Sequence, residues 1–257
     1  VDPGVRRDDG LWLLHVRVTS HKTYGSLGLM ARDFSKIGIG WQIGAPTGWG
    51  TYGVNLALEL ARQGIEPVLF LVAPRLRLMP HQTEALRPLT NKTEEWHQTA
   101  LRGGLVMDFP MLHPLGGGFE FYDVLNGARG TPNVGVPFFE SAVIAPEHIA
   151  AAKNFDLIVA GSTWNAEILQ RHGLEVTVAV CPQGVDLTLF KPAPKTGQFK
   201  DRFVIFSGGK LEYRKGQDLV VAAFKRFQAR HSDAVLVTAW HSLWPELTKN
   251  LAASPHI

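Results

Sequence analysis

The stretch KIGIGWQIGAPTGWGTYGVNLALELARQGIEPVLFLV, residues 36–72, reads as strand, glycine-rich turn, helix and strand. Ile37 to Ile43 is an apolar run of strand length. From Thr51 to Gln63 the apolar residues recur at helical spacing, with Val54, Leu58 and Ala61 on one face and Gly64 at the stop. Val68 to Val72 is a second short apolar run, the mark of a strand buried on both faces. Two such strands joined by a helix form the repeating unit of a parallel sheet.

The alternation continues downstream. Pro74 to Arg102 is polar and irregular, with a helix expected around His81 to Leu86. Strands are expected at Leu105 to Phe109 and at Val134 to Phe138. A helix opens at Pro146 and runs to Lys153, proline being tolerated in a first turn. Asp156 to Ala160 then reads as a strand, Thr163 to His172 as a helix closed by Gly173, and Val176 to Val180 as a strand. Lys191 to Lys200, with two prolines, a glycine and several lysines, suits an exposed linker. The pattern then restarts, with a strand at Phe203 to Phe206 and a helix at Gln217 to Arg230. A strand at Ala234 to Ala239 and a helix at Leu243 to Leu251 complete it. The expected division is therefore a first α/β lobe over residues 30–190, a linker over 191–202 and a partial second lobe over 203–257. Residues 1–29 lack a lasting period and read as an extension ahead of Met30, with an extra strand at 11–18 as the alternative.

Composition narrows the classes. The 257 residues are 45% hydrophobic, enough for one large core or two modest ones. Twenty-six basic against 23 acidic residues leave a net charge of +3. No basic cluster is interleaved with aromatics, so nucleic acid is not an expected partner. A single cysteine, Cys181, excludes an internal disulfide and suits a reducing compartment. No apolar run approaches the roughly 20 residues of a spanning helix, and Leu11 to Val18 is too short for a signal-peptide core. The expected location is cytoplasmic. The ten histidines show no paired spacing, so no metal site is expected.

Two turns carry the chemistry. The first, Gly44 to Gly53, links a strand to a helix; its glycines let backbone N–H groups approach a ligand, and the helix start supplies about half a positive charge. Two readings stay open, a diphosphate site or a tight turn of any parallel-sheet protein. Its spacing is not that of the dinucleotide fingerprint, which counts against a dehydrogenase. The second turn, Ser207-Gly208-Gly209-Lys210-Leu211-Glu212-Tyr213-Arg214-Lys215-Gly216, carries three cations within six residues. Gly208 and Gly209 allow close backbone approach, and Lys210 and Lys215 are compact charges suited to phosphate oxygens. A solvated basic loop is the rival reading.

The second turn, with the helix start Gln217-Asp218-Leu219-Val220, resembles the donor-phosphate segment of the retaining glycosyltransferases of family four. The likeness extends to Ala160-Gly161-Ser162-Thr163-Trp164-Asn165, to Gln183-Gly184-Val185-Asp186, and to Phe190 and Pro192. Gly48 to Gly53 is similar to the family's first glycine loop, and Phe139-Glu140 to a segment of one branch. The resemblance implies a GT-B-like fold, with a Rossmann-like first lobe and an incomplete second one. It also implies transfer of a sugar, with retention, from a nucleotide-diphosphate-sugar to a glycan, lipid-linked or small-molecule acceptor. Peripheral membrane contact is compatible with this, and no cofactor beyond the donor is implied.

Carried over by position, Gly48, Gly50, Gly208, Gly209, Lys210 and Lys215 hold the donor diphosphate. Lys210 stands where the family usually has arginine, which gives up bidentate geometry and keeps the charge. The family's paired glutamates for sugar and ribose have no equivalent before Ile257, so the resemblance implies a second lobe cut short. Two catalytic candidates remain. His113, expected just beyond a strand at the ligand edge of the sheet, is a candidate to orient an acceptor hydroxyl, against a packed or surface histidine. Glu140 is a candidate polar contact, against an ordinary loop carboxylate. A non-catalytic binding module and a nucleotide-sugar epimerase of the same architecture stay open as alternatives.

Overall fold

The computed structural model describes residues 17–18, 34–44, 46–74, 78–187, 189–194, 197–242, 244–252 and 254. The chain divides into two compact units between Asp186 and Leu187.

The first unit is built on β2 (Lys36–Ile43), α1 (Gly48–Arg62) and β3 (Glu66–Val72). Next come α2 (Pro80–Thr90), α3 (Thr93–Leu101), β4 (Met111–Leu115), β5 (Asn133–Pro137) and α4 (Pro146–Ala151). β6 (Leu157–Ala160), α5 (Thr163–Arg171) and β7 (Val178–Val180) complete it, with β1 (Arg17–Val18) as a short upstream strand. The sheet order is β1-β7-β6-β5-β4-β2-β3. β2 to β7 are mutually parallel, and β1 alone runs antiparallel, on β7. This is a Rossmann-like α/β sheet. Of the alternative strand at 11–18, only Arg17 and Val18 fall among the described residues; the rest of the 1–29 segment lies outside them.

Helices cover both faces. Ile39, Trp41 and Ile43 of β2 pack with Val54, Ala57 and Leu60 of α1 and Leu86 of α2. Val68 and Phe70 of β3 turn the other way, against Ala100 of α3, Phe109 and Met111. A third cluster joins Ile158, Val178 and Val180 to Ile168 and Leu169 of α5. At Gly53 the helix approaches β2 so closely that a Cβ would stand 2.6 Å from Ile43 and 2.7 Å from the Trp41 indole nitrogen. Glycine is what lets α1 lie there.

Two sequence expectations are corrected in this unit. The run Leu105 to Phe109 is not a strand; its single bridge, from Val106 to Arg129, lies outside the sheet, while Met107 and Phe109 fill the core from a loop. The strand is Met111–Leu115, one step later. Second, the polar segment after β3 holds two helices, α2 and α3.

The second unit holds β8 (Phe203–Lys210), α6 (Gln217–Gln228), β9 (Ala234–His241) and α7 (Lys249–Ala252). β8 and β9 pair in parallel over eight residues. α6 crosses between them, and Phe203 packs on Phe227 at 5.6 Å. β8 is longer than its apolar run predicts: Gly208, Gly209 and Lys210 belong to the strand, opposite Ala239, Trp240 and His241. The expected helix at 243–251 is a 3-10 turn, Pro245–Thr248, followed by α7.

Candidate functional site

In an open parallel sheet, ligands gather outside the carboxyl ends of the strands, where the strand order reverses. Here the order reverses between β2 and β4. The turn leaving β2 is the glycine-rich segment. Gly44 adopts φ 74°, a conformation open to glycine, and its amide donates to the Gly50 carbonyl at 3.0 Å. Thr47 is the N-cap of α1: its Oγ1 accepts from the Gly50 amide at 3.0 Å. The Gly48 and Gly50 backbone therefore forms the first turn of a 15-residue helix at the ligand end of the sheet. A Cβ at Gly48 would meet nothing within 4 Å.

Aromatic side chains back this turn. The Trp41 indole donates to the Trp49 carbonyl oxygen at 3.1 Å. Trp41 stacks on Tyr52 at 5.6 Å, and Phe138, just past β5, meets Trp49 edge-on at 4.3 Å. Burial pushes the Tyr52 phenol up to about 12, with the nearby Cys181 thiol adding to the shift. The sequence reading passed over this cluster. Its signal was the spacing of Trp49 and Tyr52, three apart and so on one side of a helix.

Glu140 follows β5 at the same edge and is exposed. The backbone beside it is fixed by α5. Ser162 caps that helix by accepting from the Asn165 amide at 3.1 Å, and buried Asn165 donates from Nδ2 to the Phe139 carbonyl at 3.2 Å. Trp164, 42% exposed, packs on Phe139.

His113 is not where its position in the sequence suggested. It lies in the middle of β4, 3% exposed, between Phe121 and Phe155, with Nε2 2.7 Å from Asn133 Oδ1. Burial lowers its pKa to about 4, so the ring is neutral. The placement at the sheet edge is corrected, because the strand it was to follow is a loop and the residue belongs to the next strand.

The other turn lies at the carboxyl end of β8, in the second unit. Gly209 has φ 137°, and Gly216, φ 69°, precedes α6 in a left-handed conformation. The Lys210 carbonyl accepts from Gln217 Nε2 at 2.8 Å, which ties the end of the strand to the start of the helix. Asp218 is buried and accepts from the Ser254 hydroxyl at 2.6 Å. The Lys210 ammonium lies 2.8 Å from Glu212 Oε2 and 5.0 Å from the centre of the Trp244 ring. Arg214 Nε donates to Glu212 Oε1 at 2.6 Å. The Lys210 and Arg214 cations hold the Glu212 carboxyl below the usual carboxylate range. Lys215 ends a 3-10 turn and is exposed. The sequence placed the glycines and lysines of this turn together, and missed Glu212 as the group the cations bind.

Two concavities of about 260 and 380 Å³ flank Trp96. They are lined by Glu66 and Pro67, which begin β3, by Lys36, which begins β2, and by Asp108 ahead of β4. That is the amino edge of the sheet, opposite the glycine-rich turn that leaves β2. Among the described residues no three His, Cys, Asp or Glu side chains are grouped as a metal site. Nor is any described helix long and apolar enough to cross a membrane. Neither the family models nor the curated proteins compared with this chain give a match.

Proposed function

We propose that this chain handles a nucleotide-diphosphate-sugar and acts as a glycosyltransferase of GT-B-like design, moving the sugar to an acceptor with retention. The observation that carries the reading is the end of β8, where Gly208, Gly209 and Lys210 run directly to the start of α6, with Lys215 in the intervening turn. Backbone amides and compact ammonium groups at a strand-to-helix junction suit a diphosphate. The first unit, taken by itself, offers a second turn of this kind at the capped, glycine-rich start of α1, where Gly48 and Gly50 are the residues of close approach.

In this reading the bond from the anomeric carbon to the diphosphate oxygen breaks, its electron pair leaving with the nucleoside diphosphate, while the acceptor hydroxyl oxygen bonds that carbon and its proton passes to the departing phosphate oxygen. Lys210 and Lys215 stabilise the charge that develops on the departing nucleoside diphosphate, the electrostatic contribution that usually dominates such chemistry. Glu140 and the aromatic edge around Trp49 and Phe138 are offered to the acceptor, a glycan, a lipid-linked sugar or a small molecule. His113 is assigned no contact with substrate, because it is enclosed by Phe121 and Phe155.

The test is a panel of nucleotide sugars assayed for transfer and for donor hydrolysis, with Lys210→Ala and Lys215→Ala alongside. Turnover or nucleotide binding that weakens at least tenfold in either variant is expected. Absence of turnover, with nucleotide binding unchanged by both substitutions, overturns the proposal.

A further inference from the structure

We infer that Glu212 is a built-in competitor of the anion site, a carboxylate that keeps Lys210 engaged until a more highly charged phosphate displaces it, so that the site favours diphosphates over monophosphates. This rests on the reading of Lys210 as a diphosphate ligand. The two oxygens of one carboxylate serve two different cations, Arg214 at 2.6 Å and Lys210 at 2.8 Å.

The two contacts are unequal. Arg214 makes a directed hydrogen bond to Oε1. Oε2 receives no well-angled hydrogen bond, although the Lys210 ammonium stands 2.8 Å from it. Glu212 is held in place, its side chain 13% exposed, while the Lys210 side chain is 34% exposed on a flexible four-carbon stem. Lys210 is therefore the partner that can leave. When it does, Glu212 keeps Arg214, so no carboxylate is left buried without a counter-ion.

Charge decides which ligand succeeds. Lys210, Glu212 and Arg214 sum to a single positive charge while paired. A monophosphate, with a charge of about −1.5 to −2 near neutral pH, must displace a carboxylate that is already in position and offers too few oxygens to span both lysines. A diphosphate brings more charge and more oxygens, enough to engage Lys210 and Lys215 together. The face of Trp244 remains beside the ammonium as a second, weaker attraction.

Titration calorimetry on the full chain, with inorganic pyrophosphate and orthophosphate as probes, tests this. Glu212→Gln removes the charge and keeps the shape, and is expected to bind both anions roughly fivefold tighter or more. The gain is expected to be larger for orthophosphate, so that the selectivity ratio falls. Glu212→Ser, a smaller neutral replacement, should move in the same direction, and Glu212→Asp, which keeps the charge, should stay near wild type. If wild type binds pyrophosphate and Lys210→Ala loses it, yet Glu212→Gln and Glu212→Ser bind no tighter, the competitor role is overturned and the diphosphate reading stands. If Glu212→Asp tightens as much as Glu212→Gln, charge is not the cause and the inference fails. If wild type does not bind pyrophosphate, or Lys210→Ala binds it equally well, the diphosphate reading falls and takes this inference with it.

Discussion

His113 Nε2 and Asn133 Oδ1 stand 2.7 Å apart in the interior of the sheet, and the rest of the network fixes which atom donates. Asn133 Nδ2 donates to the Asn154 carbonyl, and its Oδ1 also accepts from the Gly130 amide. The oxygen therefore faces the histidine, and Nε2 carries the proton of a neutral ring. An unfolded histidine takes up a proton below about pH 6.5, whereas this one resists until about 4. The unfolded state binds more protons across that window, so stability is lost as pH falls through it. The loss should amount to about 3 kcal/mol, read from urea unfolding at pH 7 and pH 4. His113→Phe should be free of that component; an unchanged slope in the variant would count against it.

The N-cap at Thr47 supports the start of α1 through one hydrogen bond. Thr47→Ala should cost about 1 kcal/mol, and Thr47→Ser little, since the hydroxyl is retained. Thermal denaturation of the two variants compares them directly, and equal losses would show that the methyl group matters more than the cap.

Two glycines of the same helix should respond in opposite ways. An added methyl at Gly53 would collide with Ile43 and Trp41, so Gly53→Ala should destabilise by about 1–3 kcal/mol. Gly48 opens onto free space, and Gly48→Ala should be neutral or slightly stabilising. Because it leaves the fold intact, Gly48→Ala is also the clean probe of the first turn: under the proposed function it weakens nucleotide-sugar binding, and unchanged binding removes Gly48 from the site.

Phenol absorbance titrated against pH offers another check. Tyr52 should ionise near pH 12, about two units above an ordinary tyrosine. The difference spectrum between wild type and Tyr52→Phe isolates it, and ionisation near pH 10 would mean that the ring is not enclosed between Trp41 and Phe138.

How much of this was legible in the sequence depends on which forces set each element. β2, α1 and β3 were readable because burial on both faces or along one stripe imposes a period on the residues themselves. β4 was not. Its sequence, Met-Leu-His-Pro-Leu, contains a histidine and a proline, and proline argues against a central strand. The fold accommodates it because the ladder to β2 ends at Leu112, so Pro114 comes where β4 keeps only its β5 neighbour. The more apolar Leu105 to Phe109 drew the strand assignment instead, although Gly103 and Gly104, with φ 81° and 71°, turn the chain just ahead of it. α3 was missed because only Trp96 and Ala100 of its nine residues give an apolar spacing. The glycine turns were visible at the candidate site. The pairing of Lys210 with Glu212 was not, because alternating charges two residues apart do not reveal which will share a carboxylate.

The parallel pair in the second unit has a colloidal consequence. Ala234 to Ala239, AVLVTA, is uncharged, rich in β-branched residues and free of proline, and among the described residues β9 has a partner strand on one side only. Phe203 and Phe206 of β8 are 54% and 67% exposed beside it. An edge of that kind is a template for another chain, and the window has the composition of fibril-forming segments. Self-association of this protein should therefore begin at β9. A lysine at exposed Thr238 should lengthen the lag before light scattering rises at high concentration, while the same change at exposed Glu167 on α5 should leave that lag where it was.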